Sequence, residues 1–231
     1  MSPYSRHTAD RMVKIAASDT VLEGELFLPD SPTGIVLFAH GAGSGRHSPR
    51  SRAISDALTG AGVATLLFDL LTPLEEAEDR WRGHLSYDIP FLAGRLLAAM
   101  DWAVDSPLTR TLGIGLFGAS TGGAAALLAA AEQPLEVQAV VLRGGRPDLA
   151  ADRLSHVVAP TLFIVGEKDE PVLGWNKDAA RHLSGEHALH IVPGATHLFP
   201  EPGALEEVTR VTAEWFARYL QPSHPPLHSP G

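Results

Sequence analysis

The sequence predicts an α/β protein built on an open, mostly parallel, doubly wound sheet with an antiparallel hairpin at its amino end. Three observations predict it. From residue 34 onward, short apolar runs alternate with longer stretches of helical periodicity. Several of those runs, such as Val63-Ala64-Thr65-Leu66-Leu67-Phe68, are apolar at consecutive positions, as in a strand covered by helices on both faces. Before residue 30, two strand-like runs flank the turn residues Ser18-Asp19.

Taken in order, Met12 to Ala16 and Val21 to Leu28 form the hairpin, closed by a Pro29-Asp30-Ser31-Pro32 loop. Strands follow at Ile35 to Ala39, Val63 to Leu70, Thr111 to Phe117, Val137 to Leu142, Thr161 to Val165 and Leu189 to Val192. Helices fill the intervals, roughly Arg50 to Gly60, Ile89 to Val104, Gly123 to Glu132, Val172 to Leu183 and Ala204 to Leu220. Residues 71–88 are rich in charge with little periodic apolar signal, and read as a solvated loop or a small lid. No internal repeat or linker divides the chain, so residues 1–220 are expected to form one domain and 221–231 a mobile tail. The tail histidines, His224 and His228, read as part of a disordered end and not as a fixed ligand set.

Composition excludes several classes. With 45% hydrophobic and 19% charged residues among 231, the chain is globular, and no apolar run reaches bilayer length, so no membrane association is expected. A formal net charge of −9 without a basic run argues against nucleic-acid binding. The absence of cysteine rules out disulfides, thiolate metal sites and a cysteine nucleophile. No secretory signal is readable in residues 1–10, which makes the cytoplasm the expected compartment. No G-x-x-x-x-G-K-[ST] phosphate loop is present.

Chemistry concentrates at strand ends. Ser120 lies in Gly118-Ala119-Ser120-Thr121-Gly122, between a strand and a helix, where glycines permit a sharp turn and a helix N-terminus favours negative charge. A serine nucleophile needs a base and a group to orient that base, which can come from distant strand ends. Asp169 follows the Thr161 strand and a glycine turn, with Glu167 and Glu170 as local competitors and helix capping as the alternative role. His197 lies in the loop after the last strand and completes the order Ser, Asp, His. An oxyanion would need two backbone donors. Thr121 supplies one, and Ala42, in the small-residue turn His40-Gly41-Ala42-Gly43-Ser44-Gly45, supplies the other. His40 reads as a loop-stabilising hydrogen bonder before a proton carrier.

Together His40-Gly41, Gly118-x-Ser120-x-Gly122, Gly166-x-x-Asp169 and Gly194-x-x-His197 resemble the α/β-hydrolase superfamily, in particular its dienelactone-hydrolase-like branch without a large cap domain. The resemblance covers nearly the whole chain. It implies an α/β-hydrolase fold, a Ser/Asp/His set and hydrolysis of an ester, lactone or thioester with no metal or organic cofactor. True dienelactone hydrolases use cysteine as nucleophile, from which Ser120 departs. A narrower similarity, carried by residues 43–50 and by Leu142-Arg143-Gly144-Gly145-Arg146-Pro147-Asp148, is to a bacterial hydrolase subgroup sometimes fused to a phosphoribosyltransferase domain.

The expected partner is therefore a small ester-type molecule, acted on by a monomer or homodimer. Arg46, Arg50, Arg143 and Arg146 all follow strand ends near the site, and either hold an anionic substrate or tie loops to acids such as Asp148. Trp81 or Tyr87 would wall an acyl pocket, while Leu70, Leu71 and Trp81 alternatively meet another subunit. An acyltransferase would use the same groups, and a non-catalytic ligand-binding protein would keep only the fold.

Overall fold

A computed structural model describes residues 9–18 and 20–222. Residues 1–8, Asp19 and 223–231, with the tail histidines His224 and His228, lie outside the described residues.

Strands β1 (Ala9–Ala17) and β2 (Thr20–Leu28) form the antiparallel hairpin, and the turn between them takes Ser18 to φ 51°. Residues β3 (Gly34–Ala39), β4 (Ala64–Phe68), β5 (Gly113–Ala119), β6 (Val137–Arg143), β7 (Thr161–Gly166) and β8 (His187–Val192) complete an eight-stranded sheet in the order β1-β2-β4-β3-β5-β6-β7-β8. The hairpin joins β4 antiparallel, and every later pairing is parallel. Strands β3, β4, β5 and β7 are buried at every position, as consecutive apolar residues require when both faces are covered.

Helices α1 (Pro49–Gly60) and α6 (Ala204–Tyr219) cover one face, where Ile54, Leu58, Phe117, Ile164, Val208 and Phe216 share a core. Helices α3 (Ile89–Asp105) and α4 (Thr121–Glu132) cover the other, with α5 (Glu170–Ala180) beside β7 and β8. Helix starts follow local chemistry. Ser48 accepts from the Ser51 N–H ahead of Pro49 in α1, and Asp88 accepts from the Phe91 N–H at the start of α3.

The structure corrects the reading of residues 71–88. Most of this charged stretch is helix α2 (Pro73–Arg82), followed by a 3-10 turn at Leu85–Tyr87. Thr72 and Glu75 form a capping box around Pro73, and Gly83 closes the helix at φ 62°. The strand read over Val63 to Leu70 also ends earlier than the apolar pattern suggests, at Phe68. Asp69 leaves the strand to donate its N–H to Glu23 O, and the Leu70 N–H turns to His40. Leu70 and Leu71 are buried within the fold, contrary to the expectation that they meet a second subunit. No large cap domain is inserted, and among the described residues no helix is long and apolar enough to cross a membrane.

Candidate active site

The site is assembled at the carboxyl ends of β3, β5, β6, β7 and β8. At the end of β5 the chain reverses through Ser120, whose backbone sits at φ 51°, ψ −122°. A non-glycine residue held there costs of order 1–3 kcal/mol. Neighbouring backbone fixes it. The Ser120 N–H donates to Arg143 O (3.3 Å), and Ser120 O accepts from the N–H groups of Gly123 (2.9 Å) and Arg146 (3.0 Å). The turn also needs its glycines, because a Cβ at Gly122 would be driven into the carbonyl oxygen of Ala39 and one at Gly118 would lie 2.5 Å from Gly123 Cα.

The turn after β3 lies against this elbow, with Gly41 close enough that an added Cβ would come within 2.9 Å of Ser120 Cβ and 3.6 Å of Ser120 Oγ. Its backbone closes through Ser44 N–H to Gly41 O (3.1 Å). Among the described residues the Ala42 N–H has no acceptor, and the Thr121 N–H opens α4, where no intrahelical acceptor exists. His40 pins the turn from below. Its Nε2 accepts from the Leu70 N–H (2.9 Å), so Nδ1 carries the proton that meets Gly41 O (3.0 Å). Burial pushes the His40 pKa below its ordinary value, against the smaller opposing effects of the Gly41 carbonyl, Asp69 and Glu76. A neutral, doubly engaged ring is a loop stabiliser.

Asp169 stands at the N-cap of α5 but makes no side-chain cap there. Its carboxylate turns instead to His197, with Oδ2 accepting from Nδ1 at 2.6 Å. The competitors are placed elsewhere. Glu167 accepts from the Gly194 N–H (2.8 Å) and braces the loop that carries His197, while Glu170 opens α5. The imidazole rests on Gly144, where a Cβ would fall 3.2 Å from Nδ1 and Cε1. Because Arg143, the preceding residue, holds the Ser120 N–H, the elbow and the imidazole meet across one two-residue step of chain. A carboxylate–imidazole pair of this kind leaves Nε2 free to take a proton from a neighbouring hydroxyl.

The four arginines separate into two kinds. Arg46 pairs through Nη1 with Asp69, through Nη2 with Glu23 (2.7 Å) and through its N–H with Asp69 Oδ1 (2.8 Å). Arg146 binds Asp148 through Nε and Nη2 (2.8 Å) and lies 4.2 Å from the Trp175 ring centre. These two tie loops, as the structural alternative requires. Arg50 and Arg143 have no ion pair among the described residues.

A cleft of about 800 Å³ opens beside the site, between the Ala42 turn, the start of α1 and the α2 region. Tyr87 lines it. Trp81 does not, because α2 turns this side chain outward, where it is 92% exposed. Asn176 was invisible to sequence reasoning. Fully buried in α5, it donates through Nδ2 to Gly145 O (2.9 Å) and Val172 O (2.7 Å), holding the turn under His197. Among the described residues no group of three or more His, Cys, Asp or Glu side chains could hold a metal ion.

Comparison with known proteins agrees with this architecture. Residues 32–215 match the family model described as an alpha/beta hydrolase domain. The crystal structure of a dienelactone hydrolase from Anabaena variabilis ATCC 29413 is 53% identical, with a TM-score of 0.91 over 93% of this chain and 99% of that one. Est1E from Butyrivibrio proteoclasticus shares the fold at 18% identity, with a TM-score of 0.76 over 90% of this chain and 98% of its own. "Putative phosphoribosyl transferase Rv0571c" of Mycobacterium tuberculosis (strain ATCC 25618 / H37Rv) is 52% identical over 211 residues, covering 91% of this chain and 47% of that protein. The chain thus spans about half the length of the curated relatives it matches. With its antiparallel opening hairpin, uncapped sheet and strand-end elbow, the chain belongs to the alpha/beta hydrolase family, in its dienelactone-hydrolase-like branch.

Proposed function

We propose that the chain is a serine hydrolase that cleaves a carboxylic ester, lactone or thioester through an acyl-enzyme. The observation that carries this reading is the 2.6 Å Asp169–His197 contact beside the strained Ser120 elbow. His197 Nε2 takes the proton from Ser120 Oγ as Oγ attacks the carbonyl carbon. The oxyanion is received by the N–H groups of Thr121 and Ala42. The bond to the leaving group then breaks, and His197 returns the proton to it. Water, deprotonated by His197, attacks the acyl carbon and releases the acid and Ser120. Asp169 keeps the proton on Nδ1 and stabilises the imidazolium that forms at each step.

The relationship to a dienelactone hydrolase supports ester or lactone cleavage, with Ser120 doing the work in a chain that has no cysteine. An anionic substituent on the ester belongs to the same proposal, since among the described residues Arg50 and Arg143 have no ion pair. The test is a fluorophosphonate probe followed by mass spectrometry. Modification of Ser120 in the wild type, lost in Ser120→Ala and strongly slowed in His197→Ala, is the expected result. An unmodified Ser120 in folded protein would refute the assignment.

A further inference from the structure

Helix α2 is inside out. Its carboxylates Glu75 and Asp79 face the fold, where Asp79 accepts from the N–H groups of Leu85 (2.6 Å) and Ser86 (3.2 Å) and Glu75 meets the buried Arg95 at 2.7 Å. Leu74, Ala77 and Trp81 face solvent, with Leu74 84% and Trp81 92% exposed. Spaced at i, i+3 and i+7, these three share one side of the helix. Isolated apolar side chains are ordinary on a surface, but a helix stripe that leaves a tryptophan almost wholly in water marks an interaction face. The stripe is also held rigidly. The Thr72 capping box, the left-handed Gly83 and the contacts to Arg95 and Ser86 fasten α2 at both ends.

This face complements itself. When two copies of α2 lie antiparallel across a two-fold axis between residues 77 and 78, Leu74 of each falls opposite Trp81 of the partner subunit. The small Ala77 then sits at the crossing, where it lets the two backbones approach. Charge follows the same symmetry. Glu75 and Glu76 lie in the first turn of α2, and Arg80 and Arg82 in the last. Antiparallel pairing sets the acidic turn of each copy against the basic turn of the other and aligns the helix dipoles favourably, whereas parallel pairing would bring like charges together. Glu78, beside the axis, carries its own counter-charge in Arg82 at 3.5 Å. An anionic lipid surface does not fit, because α2 holds four carboxylates to two guanidiniums and the chain carries −9 overall.

We infer that a second copy of this chain docks on the Leu74, Ala77 and Trp81 face of α2, forming an isologous, antiparallel homodimer. One short helix per subunit gives an interface at the small end of the specific range, so the dissociation constant is on the order of micromolar. The other side of α2 lines the cleft through Glu76, Asp79 and Arg80, so pairing holds that wall of the cleft in place.

The test is sedimentation equilibrium of the full chain from about 1 to about 300 μM, joined to cysteine trapping. Wild type should pass from monomer to dimer across this range, and Trp81→Ala and Leu74→Asp should each weaken the dimer by about tenfold or more. Both side chains stand in water in the single chain, so dilute variants should keep the wild-type thermal midpoint. Because the chain has no cysteine, Ala77→Cys places one thiol per subunit beside the axis. Copper phenanthroline should convert Ala77→Cys to a disulfide-linked dimer, while Leu135→Cys, at a position 94% exposed in the loop after α4, stays monomeric. A wild type that remains monomeric at every concentration overturns the inference, whatever other protein the face then binds. So does a dimer that Trp81→Ala and Leu74→Asp leave unchanged, or equal cross-linking of Ala77→Cys and Leu135→Cys.

Discussion

Under the proposed mechanism, Ser120 trades stability for reactivity at a single residue. Its backbone lies where glycine is at ease, so Ser120→Gly should abolish fluorophosphonate labelling yet raise stability by about 1 kcal/mol, read by urea unfolding. Asp169→Asn leaves the shape of the pair but permits the wrong imidazole tautomer, and kcat on p-nitrophenyl esters should fall on the order of 10³- to 10⁴-fold. His40 gives a pH signature. Because its folded pKa is lowered, the unfolded chain takes up a proton first on acidification, so its contribution is present above about pH 6.5 and lost below it. The stability gap between wild type and His40→Gln should therefore narrow as pH falls from about 8 to about 5.5. The strand-end placing of Ser120, Asp169 and His197 is legible because each follows an apolar strand within a small-residue turn. The fates of the arginines are not, since Arg46 finds Asp69 across 23 positions and Arg143 finds no ion pair among the described residues, facts that exist only after folding.

At the scale of elements, α2 was the main departure from the sequence pattern, and its physics explains why. Its apolar residues Leu74 and Trp81 are 84% and 92% exposed, so no buried stripe advertises the helix. The helix is set by its ends. Thr72, Pro73, Glu75 and Gly83 are start and stop signals that hydrophobic periodicity does not weigh. Thr72→Ala should cost about 1 kcal/mol. Glu75→Ala should cost more, about 2–4 kcal/mol in urea unfolding, because it removes the reciprocal cap and strands the buried Arg95 of α3. A 3-10 segment at Pro147–His156 also went unread, while the strands and the remaining α-helices were read correctly in kind, with errors at their edges where side chains redirect the backbone, as His40 does at Leu70.

For the whole molecule, the sheet order sets the division of labour. Strand β5 lies between β3 and β6, so the elbow is gripped on one side by the Ala42 turn and on the other by the turn beneath His197. The parallel succession was legible from runs apolar on both faces, whereas the placing of β4 between β2 and β3 was not, because pairing order leaves no mark in a uniformly apolar strand. The interlock of Gly122 with the Ala39 carbonyl, described above as a steric need, also maps where this scaffold can be re-engineered. Backbone meets backbone there, so saturation libraries across positions 118–122 should return few active clones. Tyr87 and the α2 region, by contrast, reach the cleft from a segment fastened by side chains such as Glu75 and Asp79, and variation there offers a route to new substrate scope without disturbing the machinery at the strand ends.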